Sequence, residues 1–371
     1  MSESTAKKIG IDIRPYLLDP SGMGQYAFQL TKHLLLQDKK NTFILFSDRS
    51  FDSNVFSGNF SVKVLDAGPI TPLRTVAFHI RTILFAKRYC DIYLSTSAMY
   101  VAALRKNFGI IVIHDLVIKK FPELQSFKTK TLIGAFIPLA LKNAKHIIAT
   151  SENTKKDIHE FFPDIDENKI SVVYQGFNTN LLQYKEQYSE KTWTDIQKKF
   201  GITKPYILFV GTTEPRKNIL RLIEAFNSLE EENLELVIAG KKGWGYNEII
   251  QHTTEHIHVT GFVTDEEKAY LYMHATMLCY PSLYEGFGIP LLEAMSFSIP
   301  IISSNASSLP EVAGDAAILI NPTNTIAIAQ SMVQLLTDQQ LREELLKKEA
   351  VQVTKFDWNE TAKEIISIYE T

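Results

Sequence analysis

Residues 277–295 read MLCYPSLYEGFGIPLLEAM. Met277–Tyr280 is a short apolar run with the character of a strand, and a glycine-rich turn follows at Gly286 and Gly288. Pro290 then stands where a helix tolerates proline best, at its first position. Strand, glycine turn and helix in that order make one unit of a parallel sheet with a crossover helix. The alternation extends outward on both sides. In the second half the other strand candidates are Tyr206–Val210, Leu234–Ala239, Ile257–Val259, Ile299–Ser303 and Ala317–Ile320, with helices at Asn218–Ser228, Asp265–Ala275 and Pro290–Ser296. In the first half the strand candidates are Lys8–Ile13, Thr42–Ser47, Val62–Leu65, Ile92–Leu94, Gly109–Ile113, His146–Ala149 and Ser171–Tyr174. Helical patterns fall between them at Met23–Leu36, Val76–Arg88 and Lys128–Asn143. Seen twice, the alternation predicts an α/β protein of two Rossmann-like, doubly wound domains facing a central cleft at the carboxyl ends of their strands.

A length of 371 residues suits two domains, and 45% hydrophobic residues suffice for real cores. The period breaks from Leu181 to Gly201, before Ile202-Thr203-Lys204-Pro205 leads into a strong strand. The expected division is a first domain over 1–185, a linker over 186–204 and a second domain over 205–355, leaving a terminal segment at 356–371. Two cysteines, Cys90 and Cys279, make neither a disulfide framework nor a metal cage, which favours a reducing compartment. Met1 to Lys8 is polar and no 18-residue apolar run occurs, so neither a signal peptide nor a spanning helix is expected. The net charge of -3 conceals an asymmetry. Residues 1–185 carry 24 Lys+Arg and 16 Asp+Glu, a net +8, and the rest carries 15 and 26, a net -11. Such a split points to an anionic surface or partner for the first half.

Several residues stand where chemistry is expected. Gly286, Phe287, Gly288, Ile289, Pro290 and Leu291 form a helix start whose backbone N–H groups, Gly288 to Leu291, suit a phosphate. Glu285 and Glu293 bracket it, placed to hold hydroxyls on either side of a bound diphosphate. His114 follows the strand Gly109–Ile113 at its carboxyl end. Gly22 and Gly24 lie between the first strand and the first helix, where absent side chains let backbone approach a ligand. The string Gly22-x-Gly24-x-x-Ala27, with Asp48 ending the next strand, also fits a dinucleotide fingerprint. Eight residues, Arg14 to Ser21, separate strand from glycine, and the fingerprint wants that turn at once. A hydride-transfer reading is therefore set aside. The one Asp-x-Asp string, Asp164-Ile165-Asp166, lies in a polar loop, and the remaining histidines lack metal-ligand spacing. No metal and no other cofactor are expected.

With its spacing, the segment from Tyr280 to Met295 resembles the Glu-x7-Glu motif of the group 1 glycosyltransferases, retaining enzymes of two Rossmann-like domains (GT-B). Val210-Gly211-Thr212-Thr213-Glu214-Pro215-Arg216-Lys217-Asn218 resembles their strand–loop with an Arg-Lys pair, and Ser21–Tyr26 their glycine-rich loop. His114-Asp115-Leu116, Thr150–Ile158 and Ser303–Gly314 are similar to family segments too, so the resemblance covers nearly the whole chain. It implies that Arg216 and Lys217 hold the diphosphate of a nucleotide-sugar donor, whose charge grows as the glycosidic bond breaks. It also implies that Glu293 meets the ribose, Glu285 the donor sugar near the reacting carbon, and His114 the same sugar. Gly22, Gly24, Gly211, Thr212 and Val263 line the donor, with base contacts in Val259–Thr264 beside Lys241–Gly245. The terminal segment is implied to be a helix crossing back to the first domain, with a hinge near Val353–Trp358.

The expected activity moves a hexose, mannose first and glucose second, from a nucleotide diphosphate sugar to a saccharide or lipid-linked acceptor hydroxyl. GDP-mannose is the first donor, since the loops around Gly211–Lys217, Lys241–Gly245 and Ser303–Gly314 resemble bacterial mannosyltransferases of surface polysaccharide. The expected location is cytoplasmic, without a nucleic-acid partner. Two basic amphipathic stretches, Arg74–Tyr89 and Lys119–Lys145, suit peripheral contact with an anionic membrane at its inner face. The alternatives are a nucleotide-sugar epimerase and a non-catalytic paralogue acting as a partner protein. An intact Glu285, Arg216 and Lys217 argues against the latter.

Overall fold

The computed structural model describes residues 5–19, 22–66, 72–96, 100–122 and 127–371; the side chains of 72–76, 100, 101, 127–133 and 135 are not described. Ser21 of the glycine-rich loop, and the side chains of Arg74, Val76, Lys128 and Lys130 in the two basic stretches, therefore lie outside the described residues. The chain divides into two compact units, Met1–Gly176 with Asp357–Thr371, and Phe177–Phe356.

In the first unit the strands are β1 (Lys8–Asp12), β2 (Thr42–Ser47), β3 (Phe60–Val64), β4 (Ile92–Ser95), β5 (Gly109–Ile113), β6 (His146–Ala149) and β7 (Ile170–Val172). Among the described residues they form one parallel sheet in the order β3-β2-β1-β4-β5-β6-β7. The second unit has β8 (Tyr206–Val210), β9 (Glu235–Ala239), β10 (Ile257–Gly261), β11 (Met277–Tyr280), β12 (Ile301–Ser304) and β13 (Ile318–Ile320), parallel in the order β10-β9-β8-β11-β12-β13. Helices cover both faces of such sheets, so central strands are apolar at almost every position; every residue of β8 and β11 is buried. The order reverses between β1 and β4 and again between β8 and β11. Ligands of open α/β sheets bind beyond the strand ends at such reversals.

The expected linker at 186–204 is not a linker. Helix Glu190–Phe200 fills most of it, started by the Ser189 hydroxyl on the Thr192 N–H and ended by Gly201 in the left-handed conformation, φ 74°. Its apolar residues are few but sit on one stripe. Trp193 and Ile196 are buried, and the Trp193 ring stacks on His274 at 4.0 Å and 2°. The polar composition that suggested a linker is the outer face of this amphipathic helix. The chain passes between units instead at Gly176/Phe177 and Phe356/Asp357. Helix Trp358–Glu370 belongs to the first unit, where Trp358, Ala362, Ile365 and Tyr369 enter the core with Tyr26, Leu30 and Leu34 of helix Met23–Gln37. The Tyr369 hydroxyl donates to Asp38. Residues 14–18 form a short helix, Arg14–Leu18, between β1 and the glycines, which gives the spacing that excluded a dinucleotide turn its physical form. Among the described residues no helix is long and apolar enough to cross a membrane.

In the second unit, Glu349 on helix Gln339–Gln352 is fully buried with neither carboxyl oxygen hydrogen-bonded, and burial pushes its carboxyl up to about 9. A carboxyl raised on folding contributes stability below its unfolded value and loses it as pH rises towards the folded one. Glu349→Gln removes that ionisation. The variant is expected to melt above the wild type by an amount equivalent to about 2–4 kcal/mol at pH 8, and by much less at pH 5, in paired thermal scans.

Candidate functional site

Arg216 and Lys217 follow β8 on one side of the reversal, and Glu285 follows β11 on the other. A short helical turn, Pro215–Lys217, presents the two cations, closed by Asn218 in the left-handed conformation at φ 61°. Asn218 holds three loops together, its amide donating to the carbonyls of Pro281 at 2.9 Å and Pro322 at 2.6 Å. Leu283 N–H donates to the Arg216 carbonyl at 2.8 Å.

Within this frame the three charges meet directly. Arg216 Nη1 donates to Glu285 Oε2 at 2.8 Å, and Lys217 Nζ to Glu285 Oε1 at 2.6 Å. The Tyr280 hydroxyl takes a hydrogen bond from Lys217 at 2.6 Å and gives one to Glu285 Oε1 at 3.0 Å. Arg216 Nε is held by Glu214 at 2.9 Å. Glu285 and Lys217 are buried, with side-chain exposures of 8% each. Burial acts to raise the Glu285 carboxyl, but the Arg216 and Lys217 charges outweigh it and hold it at about 2. Burial draws the Lys217 ammonium below its usual range against the pull of Glu285.

The Ser303–Gly314 segment supports the carboxylate from behind. Ser307, in the left-handed conformation at φ 53°, receives the Glu285 N–H on its hydroxyl at 2.9 Å. The Ser308 hydroxyl donates to the carbonyl of Glu285 at 2.9 Å or of Phe287 at 2.7 Å. Gly286, Phe287 and Gly288 are buried, and Gly288 takes φ 124°, a conformation that needs glycine. The helix Ile289–Ser296 starts there, but the phosphate site expected from four N–H groups is narrower. Pro290 has no N–H, and Leu291 N–H already reaches the Gly288 carbonyl at 3.0 Å. Gly288 and Ile289 are the donors that remain of the four.

Glu293 is buried rather than a solvated helix carboxylate. Lys268 Nζ donates to its Oε1 at 2.6 Å and the Tyr272 hydroxyl to its Oε2 at 3.0 Å. Gly211 and Thr212 are partly buried in the β8 loop, with a Cβ on Gly211 falling 3.3 Å from the Phe209 ring. At the neighbouring strand ends Val263 is partly buried, while Phe262 and Trp244 are each 62% exposed and Lys241 Nζ lies 5.6 Å from the Phe262 ring. Tyr280, Lys268, Tyr272, Ser307 and Ser308 were missed as site residues. Their partners stand 5 to 63 positions away in sequence, and only the fold brings them together.

Gly22, Gly24 and His114 lie in the first unit. Gly22, at φ 51° and ψ -118°, caps helix Met23–Gln37, and a Cβ there would meet none of the described residues within 4 Å. Gly24 serves packing, since a Cβ would fall 1.8 Å from the Asp19 carbonyl oxygen. His114 Nε2 donates to the Thr96 carbonyl at 2.7 Å, leaving Nδ1 as the acceptor. Burial lowers the imidazole from its usual value, so the ring is neutral at pH 7. Asp115 accepts the Val117 N–H at 3.1 Å and caps the turn that follows. Among the described residues no three His, Cys, Asp or Glu side chains gather as a metal site, and Asp166 accepts from Asn168.

Two open parallel sheets, with cations and carboxylates at the reversal of the second, define a two-domain α/β transferase of the GT-B type. Residues 193–352 match the model of glycosyl transferases group 1, and residues 20–181 that of glycosyltransferase family 4. The chain belongs to the group 1 glycosyltransferases, and its reaction is the transfer of a glycosyl group. It is 28% identical to the O-antigen chain mannosyltransferase B of Escherichia coli over 98% of this chain and 99% of that protein. A 31% identity to the serotype-specific mannosyltransferase WbdA of E. coli covers 60% of this chain but 28% of that longer protein. Among solved structures, sucrose-phosphate synthase from Thermosynechococcus elongatus superposes with a TM-score of 0.77, at 19% identity and 98% coverage of both chains. HepE of Anabaena, in complex with UDP and glucose, gives 0.75 at 19% identity, covering 98% of this chain and 99% of that one. These matches leave the epimerase and partner-protein alternatives without support.

Lys217→Ala would leave Glu285 buried with one cation instead of two. Because the depressed carboxyl contributes stability above its unfolded value and loses it as pH falls towards about 2, the deficit should be largest near pH 7. It is expected at about 2–4 kcal/mol there and to shrink below pH 4, read from denaturant midpoints across pH.

Proposed function

We propose that this chain is a retaining mannosyltransferase that moves mannose from GDP-mannose to a hydroxyl of a saccharide or lipid-linked acceptor without a metal. The observation that carries the reading is the end-to-end similarity to a mannosyltransferase of O-antigen synthesis. A buried lysine and a partly buried arginine at the Glu285 loop support it chemically. Arg216 offers a fork of donors and Lys217 a point charge, the complement of a diphosphate leaving group. Their fixed charge is the electrostatic stabilisation that a metal supplies in other transferases. The bond from the sugar carbon to the diphosphate oxygen breaks, the bond to the acceptor oxygen forms on the same face, and the departing phosphate takes the acceptor proton. No protein nucleophile is required, and Glu285, pinned between two cations, is poorly suited to be one.

Glu285 has a different task. The donor diphosphate competes for Arg216 and Lys217, and the carboxylate it displaces is then free to accept hydroxyls of the sugar. Glu293, oriented by Lys268 and Tyr272, accepts from the ribose, and Gly288 and Ile289 donate to the phosphates. Val263, with the exposed Phe262 and Trp244, lines the base. In the first unit His114 meets the donor sugar and Gly22 leaves room for it.

Docking at an anionic membrane surface is supported by helix Pro72–Tyr89. Ile80 and Leu84 are exposed (51% and 57%), Phe85 less so, amid the exposed Arg81, Lys87 and Arg88. The second basic stretch contributes less, because Lys120 is engaged by Glu160 at 2.9 Å.

Arg216→Ala and Glu285→Gln are each expected to lower mannosyl transfer by about 10²–10³-fold with the fold retained by circular dichroism. Wild-type rates in both would sink the site assignment. GDP-mannose should raise the melting temperature more than UDP-glucose at equal concentration; the reverse order would replace the donor. The protein should co-sediment with phosphatidylglycerol vesicles at 50 mM salt and be released at 500 mM, and no binding at low salt would remove the membrane.

A further inference from the structure

Near the point where the chain returns to the first unit, Trp358 sits at the head of helix Trp358–Glu370, one residue past the crossing at Phe356/Asp357. The other crossing meets it too. A Cβ on Gly176 would fall 2.6 Å from Trp358 Cδ1 and 2.8 Å from its backbone nitrogen, so only glycine fits. Thr361 Oγ1 donates to the Tyr174 carbonyl at 2.7 Å and fastens the same helix to that segment. From Trp358 a line of rings leads inward. The Tyr26 ring stands edge-on to Trp358 at 5.3 Å and 68°, and edge-on to His114 at 4.6 Å and 88°. On the other side of the crossing, in the second unit, Phe356 packs edge-on against Phe287 of the Glu285 loop at 5.6 Å and 79°.

We propose that Tyr26 and Trp358 are positioning residues for His114. The inference rests on the reading that His114 serves the donor sugar. The imidazole has one ring nitrogen tied to Thr96, which fixes its tautomer but not its tilt about that bond. The Tyr26 ring supplies the second constraint, and Trp358 backs Tyr26. The Tyr26 hydroxyl is buried without a hydrogen-bond partner, so the ring and not the hydroxyl makes the contact. Around His114 the facing groups are the Tyr26 ring from helix Met23–Gln37, the Thr96 carbonyl beyond β4, and the Thr150 and Thr154 hydroxyls that donate to its own carbonyl. Burial opposes its protonation, and the Thr96 carbonyl and then the charge of Asp115, next in the chain, favour it. Loss of the ring wall lets water reach the imidazole and moves its protonation upward in pH.

The test compares Tyr26→Leu, Tyr26→Phe, Trp358→Leu and Trp358→Phe in the full chain. The measured quantities are kcat and donor KM for mannosyl transfer from GDP-mannose to methyl α-mannoside between pH 5 and 8, with melting curves as the check on folding. Tyr26→Leu and Trp358→Leu should lower kcat about 3- to 10-fold, leave donor KM within about 2-fold, and shift the acid limb of kcat to higher pH. Tyr26→Phe should match the wild type in both, and Trp358→Phe should shift the limb less than Trp358→Leu. If a leucine variant does not fold, the phenylalanine variant at Trp358 and the remaining leucine variant decide. An unmoved acid limb in folded leucine variants overturns the proposal, whatever happens to kcat. His114→Asn separates the two layers. If it keeps wild-type kcat and limb, the role of His114 at the sugar falls; if it loses both while the leucine variants lose neither, only the positioning inference falls.

Discussion

A buried carboxylate held between two cations is the constraint on which the rest of the second unit depends. Desolvating three charges costs several kcal/mol, and such clusters seldom add net stability over a well-packed apolar core. What they require is geometry, and the surrounding loops provide it. Asn218 ties three loops by its amide, Ser307 adopts a sparsely populated backbone conformation to receive the Glu285 N–H, and Tyr280 bridges Lys217 to Glu285. Each device makes sense if the two cations must be held in the dry interior before any diphosphate arrives. On the proposed reading, Glu285 is the anion that a donor diphosphate would displace from the two cations.

The sheet order explains why these groups come from distant stretches. At the reversal between β8 and β11 the loops after the two strands face each other beyond the strand ends, where Arg216 and Lys217 meet Glu285. Ligands of such sheets reach the strand ends at this point, and one loop alone could supply only one side of the charge cluster. Arg216 and Lys217 on one side and Glu285 on the other therefore follow from the topology, given a parallel sheet. The first unit repeats the logic at β1 and β4, with Gly22 beyond β1, Thr96 beyond β4 and His114 beyond the adjacent β5.

How much of this is legible in the amino-acid order depends on how local the cause is. β2, β5, β6, β8 and β11 read from end to end, because strands buried on both faces leave unbroken apolar runs. The outer strands β3 and β7 begin one or two residues earlier than the pattern suggests, since their exposed or half-buried positions blur the run. Helix Glu190–Phe200 escaped because only Trp193 and Ile196 mark its inner face. At the site, Arg216, Lys217, Glu285 and Glu293 are legible from their place after strands and at a helix start. Lys268 and Tyr272 are not, for an ordinary surface helix spaces Lys and Tyr four apart just as readily. The four-donor phosphate site failed on a local fact that was legible: proline at 290 has no N–H to give.

The charge of the second half shows where bulk composition stops being informative. Residues 186–371 carry a net -11, yet the proposed donor is itself an anion. Surface charges act through water and salt, which screen them over about 8 Å at physiological ionic strength. A diphosphate at Arg216 and Lys217 sits within hydrogen-bond reach of two cations that are largely shielded from that solvent. Contact terms of this kind outweigh a diffuse surface field, so the sign of the domain does not decide what its site binds. It bears on encounter instead: an acidic surface slows the approach of an anionic donor, and more so at low salt. Neutralising the ion pairs would therefore change how tightly the donor is held, whereas neutralising surface glutamates would change how fast it arrives.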